Sequence, residues 1–120
     1  MRDEWNARAK EDAHYYVAFG RRGQDDAEFF DTAKDLVGEL EGELKRLPAP
    51  ATGDITRALE IGCGPGRLLR PMSGHFGEIH GVDVSDEMAA LARGKLSDLD
   101  RKSTRLNSSH PRLSRMPSSA

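Results

Sequence analysis

The sequence predicts an α/β protein in which N-terminal helices precede a β-α-β-α unit of an open parallel sheet. Three observations predict it. Residues 29–47 repeat apolar side chains every three or four positions, the period of a helix with one buried face. A short apolar run, 55–61, enters Gly62-Cys63-Gly64-Pro65-Gly66. A second short run, 78–84, leads into a capped helical pattern. Strand, glycine loop, helix, strand, helix is how parallel strands are connected.

From Asp3 to about Phe19, Trp5, Ala9, Ala13 and Tyr16 fall three or four apart and predict a first amphipathic helix, broken by Gly20-Arg21-Arg22-Gly23. Asp25 or Asp26 caps a second, because a short acidic side chain accepts from free first-turn amides. Its stripe of Phe29, Phe30, Ala33, Leu36, Val37, Leu40, Leu44 and Leu47 stops at Pro48-Ala49-Pro50. Ile55–Ile61 predicts a strand. A helix from about Arg67 follows, with Leu68, Leu69, Met72 and Phe76 on one face and Pro71 near its start. Glu78–Val84 predicts the second strand. Ser85 caps a last helix that buries Met88, Leu91, Ala92, Leu96 and Leu99. The chain divides into a helical segment, 1–50, a ligand-binding βαβα unit, 51–100, and a tail, 101–120, expected to be disordered.

With 120 residues there is room for one small core. No apolar run spans a bilayer and the acidic start lacks the apolar stretch of a secretory signal, so no membrane partner and a cytoplasmic location are expected. The single cysteine, Cys63, excludes an internal disulfide. The formal charge is −2, and +5 of it lies in the tail, which leaves −7 on residues 1–100. Such a body repels phosphate backbones, so no nucleic-acid partner is expected. His14, His75, His80 and His110 lack metal-ligand spacing, and no metal is expected.

The chemistry concentrates in Glu60-x-Gly62-x-Gly64-x-Gly66 and in Asp83, 21 residues beyond Gly62. The glycines permit a tight strand-to-helix turn and let a ligand approach the main chain. The helix that follows offers unpaired amides. A carboxylate at the end of the second strand suits a ribose diol. Dinucleotide sites want G-x-G-x-x-G, and Arg67 stands where the third small residue belongs. Plainer readings stand beside these: a bare βα turn for the glycines, a helix cap for Asp83, and an ion pair or amide bond for Glu60. For Cys63 the plainer reading is a small loop filler, and for Tyr16 it is core packing.

The spacing Glu60-x-Gly62-x-Gly64-x-Gly66, with Gly81-Val82-Asp83-Val84-Ser85, Glu87-Met88 and Ala92 after it, resembles class I S-adenosylmethionine-dependent methyltransferases over residues 57–97. The resemblance implies a Rossmann-like methyltransferase fold, here truncated, and S-adenosyl-L-methionine as cofactor. It implies that Glu60, Gly62, Gly64 and Gly66 line the methionine portion, with Cys63 also in the cofactor-binding loop, that Asp83 holds the ribose hydroxyls, and that Val84 and Met88 lie near the adenosine. It also implies that the N-terminal helix, with Tyr16, covers the site. The expected partner is a small-molecule methyl acceptor; the acceptor, the catalytic residues and the oligomeric state are not fixed by the sequence. The other readings are an NAD(P)-dependent oxidoreductase fragment and a non-catalytic cofactor-binding module.

The family's later strands are expected after residue 100 and are not recognisable there. Arg101–His110 instead resembles translated sequencing-adapter DNA. The tail is therefore expected to be foreign to the natural gene, and the chain on its own to be inactive.

Overall fold

The computed structural model describes residues 1–18, 20–53, 55–99 and the backbone of 104–108. The helices are α1 (Arg2–Ala18), α2 (Asp26–Asp31), α3 (Lys34–Leu44), α4 (Leu69–Met72) and α5 (Asp86–Lys95). The strands are β1 (Arg57–Ile61), β2 (Glu78–Asp83) and β3 (Thr104–Ser108). All three run parallel in the order β1-β2-β3, with Glu60 opposite Gly81 and Asp83 opposite Ser108.

β3 corrects the expectation of a structureless tail. The first chain segment leaves one edge of β2 unpaired, and an open edge is a template for any extended segment that reaches it. Thr104–Ser108 takes that edge. The remaining tail positions, on which the adapter reading also rests, lie outside the described residues.

The long second helix is in fact two. α2 begins as predicted, with the Asp25 carboxylate accepting from the Glu28 amide at 2.8 Å, and ends at Thr32. There the Thr32 hydroxyl donates to the Phe29 carbonyl at 2.5 Å, and Arg67 donates to the Thr32 carbonyl at 2.8 Å. A threonine that bonds its own preceding turn, with a carbonyl captured by a guanidinium, ends the helical ladder. The stripe splits accordingly. Phe29 and Ala33 are fully buried, whereas Leu36 and Leu47, the latter 63% exposed, point away from the core.

The helix after the glycine loop is likewise shorter than predicted: residues 65–68 are turns, α4 is one helical turn, and a 3₁₀ turn follows at Ser73–His75. Pro71 lies inside that single turn, where its missing amide breaks no bond. α5 matches prediction, with the Ser85 hydroxyl accepting from the Met88 amide at 3.1 Å.

The core lies on one face of the sheet. Cys63, Leu69, Met72, Ile79, Ala92 and Leu96 form it, with Val37, Leu40, Leu44, Ala58, Phe76 and Leu99 packed around. Successive strand residues face opposite sides. Leu59 and Ile61 therefore point to the other face, and Ile61 is 80% exposed.

Candidate functional site

At the carboxyl ends of β1 and β2 a cleft of about 580 Å³ opens under α1. Its floor is Ile61, Gly62, Gly64, Val82, Asp83 and Val84, with Met88 of α5 at the back; Met1 and, from α1, Trp5, Tyr16 and Val17 form the roof. Crevices outside the carboxyl ends of parallel strands are where open α/β sheets bind ligands.

The roof is built by an interruption in α1. Asp12 takes φ −163° and ψ 82°, outside the helical range, and its carboxylate accepts from the Tyr15 amide at 3.2 Å, restarting the helix as an N-cap does. Its other oxygen accepts from the Gly23 amide at 2.9 Å. That backbone hydrogen bond, with the one from Tyr15, holds the carboxyl below the usual range. Asn6, the residue after Trp5, fastens the roof to the start of α5: its side-chain oxygen accepts from the Ser85 hydroxyl at 2.5 Å and the Glu87 amide at 3.3 Å. Among sequence-derived positions Tyr16 is on the roof. Met1, Trp5 and Val17 had no sequence signal, because the period that places Trp5 on a buried stripe is the same whether the stripe meets a core or a ligand.

The glycine loop is knitted to β2. The Gly62 and Cys63 amides both donate to the Val82 carbonyl, at 2.8 and 3.0 Å, and the Gly64 amide donates to the Asp83 carboxylate at 2.8 Å. The Gly66 amide donates to the Cys63 carbonyl at 3.1 Å. Four loop amides are thus engaged, and the helix behind them is one turn. The expected set of free amides is absent at those positions, and a pyrophosphate would find no cradle in them. Asp83 also accepts from the Ser85 amide at 2.8 Å, so its two oxygens fix the loop and the start of α5 together. The helix-cap reading and the ligand reading of Asp83 are compatible, because each carboxylate oxygen keeps a second lone pair.

Of the sequence-derived site residues, Gly62, Gly64, Asp83, Val84 and Met88 meet at the cleft; Glu60, Cys63 and Gly66 do not line it. Gly62 has φ +75° and nothing within 4 Å of the place a Cβ would occupy, so its Hα side faces open space. At Gly66, with φ +90°, a Cβ would meet Leu96 Cδ1 at 2.6 Å; that glycine admits α5 rather than a ligand. Cys63 is 3% exposed within the core, and burial, with Asp83 and Glu60 nearby, pushes its thiol up to about 12. Glu60 alternates away from Ile61 and lines a second cavity of about 200 Å³ with Leu40, Leu68, Leu69, Met72 and Phe76. Its Oε1 is buried without a hydrogen-bond partner, and burial pushes the carboxyl up to about 7, opposed by Arg67 and reinforced by Asp83.

Among the described residues no group of three or more His, Cys, Asp or Glu could hold a metal ion, and no helix is long and apolar enough to cross a membrane.

A family model described as a methyltransferase domain matches residues 59–118. No curated protein sequence matches the chain. Among solved structures, magnesium protoporphyrin IX methyltransferase from Synechocystis PCC 6803 with bound S-adenosylhomocysteine aligns at a TM-score of 0.57 and 19% identity, over 91% of this chain and 49% of that one. A Haloferax volcanii methyltransferase complex with an activator protein aligns at 0.56 and 23% identity, over 90% and 38%. Phosphoethanolamine N-methyltransferase 1 of Haemonchus contortus, with phosphoethanolamine and S-adenosylhomocysteine, aligns at 0.54 and 13% identity, over 89% and 20%. The chain thus spans half or less of the length of these structures, whose fold it shares.

Proposed function

The chain belongs to the methyltransferase domain family, and from that premise we propose that its cleft binds S-adenosyl-L-methionine for methyl transfer to a small molecule. The observation that carries the proposal is the meeting of Gly62, open on its Hα side, with the Asp83 carboxylate at the mouth of an apolar cleft. S-adenosylmethionine has no phosphate, so it does not need the amides that the loop has already spent; it needs close approach to a main chain, a diol acceptor and apolar walls. Gly62 and Gly64 offer the first, Asp83 the second, and Val84 and Met88 the third. The same spent amides, with Arg67 tied to Thr32, give nothing to a dinucleotide pyrophosphate.

When bound, the cofactor supplies an electrophilic methyl group on a sulfonium. The residues of this chain orient and enclose. Asp83 fixes the ribose end, Ile61 and Val82 line the inner wall, and the roof of Trp5 and Tyr16 excludes water. Residues 51–99 form the cofactor-binding unit in this reading, and Glu60, Cys63 and Gly66 shape its frame. In this reading the 120-residue chain, which spans half or less of the structures it resembles, binds cofactor without turning over.

Isothermal calorimetry tests the proposal. S-adenosylhomocysteine binds with one-to-one stoichiometry and NAD does not, and Asp83→Ala weakens S-adenosylhomocysteine at least tenfold. Equal or tighter binding of NAD, or binding indifferent to Asp83, overturns it. Methyl transfer by the 120-residue chain would overturn the inactive-fragment part alone.

A further inference from the structure

On the core side of β1 a cavity of about 200 Å³ lies between α3, β1 and α4. Leu40, Ala58, Leu69, Met72 and Phe76 wall it, and among the described residues that line it Glu60 alone is polar. The Glu60 Oε1 is buried and has no hydrogen-bond partner; among the described residues the other such side-chain atom is on Gln24, which carries no charge. Arg67 acts on Glu60 through its charge, while its guanidinium donates to the Thr32 hydroxyl at 3.0 Å and carbonyl at 2.8 Å. Buried polar atoms in folded proteins are nearly always paired. An unpartnered carboxylate oxygen, on a residue that lines an apolar cavity, therefore calls for a donor from outside the chain.

We propose that this cavity binds a small primary amine, whose ammonium donates to the Glu60 carboxylate while its apolar body lies among Leu40, Leu69, Met72 and Phe76. The site shares no lining residue with the strand-end cleft and does not rest on the cofactor reading. Charge chooses the ligand class. A hydrocarbon leaves the oxygen unpaired, an anion is repelled, and a hydroxyl gives a bond but no compensating charge. An ammonium brings three donors and the opposite charge. Without such a partner, burial pushes the carboxyl up to about 7. Residues 1–100 also carry −7, a field that gathers cations. Size sets the body. A cavity of roughly 150 Å³ takes a benzene ring, so about 200 Å³ holds a ring with a short ammonium arm. Leu59, 60% exposed, also lines the cavity, so its mouth lies along β1, the outer strand of the sheet.

Benzylamine, the size-matched benzyl alcohol and benzoate are titrated into the full chain and followed by amide proton–nitrogen correlation spectra. Benzylamine shifts the amides of Ala58, Leu69 and Phe76 and leaves those of Gly62 and Val84 unmoved. It binds about tenfold tighter than benzyl alcohol, the step from a neutral to a charge-assisted hydrogen bond, and benzoate binds weakest. Glu60→Gln keeps the shape without the charge and brings amine and alcohol within about twofold of each other. Leu40→Phe narrows the cavity and weakens both probes, with the amine preference intact. The same spectra report that each variant is folded. Failure of benzylamine to bind, equal binding of amine and alcohol by the parent chain, or shifts centred on Gly62 and Val84 overturns the proposal. So does an amine preference that survives Glu60→Gln, or undiminished binding to Leu40→Phe. A water molecule serving Glu60 in place of an amine gives the equal-binding result.

Discussion

The side-chain oxygen of Asn6 accepts a hydrogen bond from the Ser85 hydroxyl at 2.5 Å, joining residues 79 apart at the edge of the cleft. Ser85 is fully buried, caps α5 through Met88 and receives no solvent, so this bond couples the roof to the helix start that also anchors Asp83. Asn6→Ala removes an acceptor from a buried donor at a cost of about 1–2 kcal/mol. The expected result is a lower Tm with a red-shifted Trp5 emission, as the roof lifts into water. Asn6→Asp keeps the acceptor and places negative charge near the first turn of α5, so both readouts stay close to the parent. Thermal melts followed by fluorescence check this.

Gly62 and Gly66, four residues apart in one loop, have different surroundings in the fold. Gly62→Ala meets open space, so its cost is that of a left-handed alanine, about 1–2 kcal/mol, but its Cβ enters the cleft. Gly66→Ala pays the same conformational cost and also drives a Cβ to 2.6 Å from Leu96 Cδ1. Gly66→Ala is therefore expected to lose more stability in urea denaturation, by about 1–3 kcal/mol, the range for overpacking. Gly62→Ala is expected to lose more S-adenosylhomocysteine affinity at equal folded fraction.

What the sequence showed well were features encoded locally. The Asp25 and Ser85 caps, the two strands around the glycine loop and the buried face of α5 all follow from short-range rules, and all are present. What it hid depends on distant partners. The break at Thr32 needs Arg67, 35 residues on, to capture its carbonyl, and no period in residues 29–47 announces that. β3 exists through a free edge of β2, not through any strong pattern of its own. In the site, a motif read as one line of residues is folded by the pleat onto two faces: Ile61 goes to the cleft while Glu60 goes to the core side, and Gly66 turns to α5.

Asp83 accepts from Gly64 and Ser85 before any ligand arrives, so its removal is expected to act twice. Asp83→Ala leaves two backbone amides without their acceptor and lowers the Tm, while removing the acceptor proposed above for the ribose. Asp83→Asn keeps one acceptor oxygen and so recovers part of the stability but less of the binding. Calorimetry at a temperature where each variant is fully folded separates the effects. Equal affinity in Asp83→Asn and the parent chain would show that the carboxylate serves the loop alone.

Glu60 gives the pH signature. Its carboxyl, pushed up to about 7 mainly by burial, has an ordinary value of 4.5 in the unfolded chain. Below 4.5 the group is protonated in both states and costs nothing; between 4.5 and 7 the unfolded chain releases a proton that the folded chain retains. Stability from this group therefore falls as pH rises through that window and levels off above it. The cause is an Oε1 buried without a donor, on a side chain that lines a cavity with Leu40, Leu69 and Met72. Glu60→Gln removes the charge while keeping the shape. It is expected to flatten the fall and to raise stability at pH 8 by about 1 kcal/mol, a value discounted for the part of the side chain that water still reaches. Urea denaturation of both proteins from pH 5 to pH 8 is the check. A parallel pair of curves would mean that Glu60 is charged and stabilised in the fold, with Arg67 outweighing its burial.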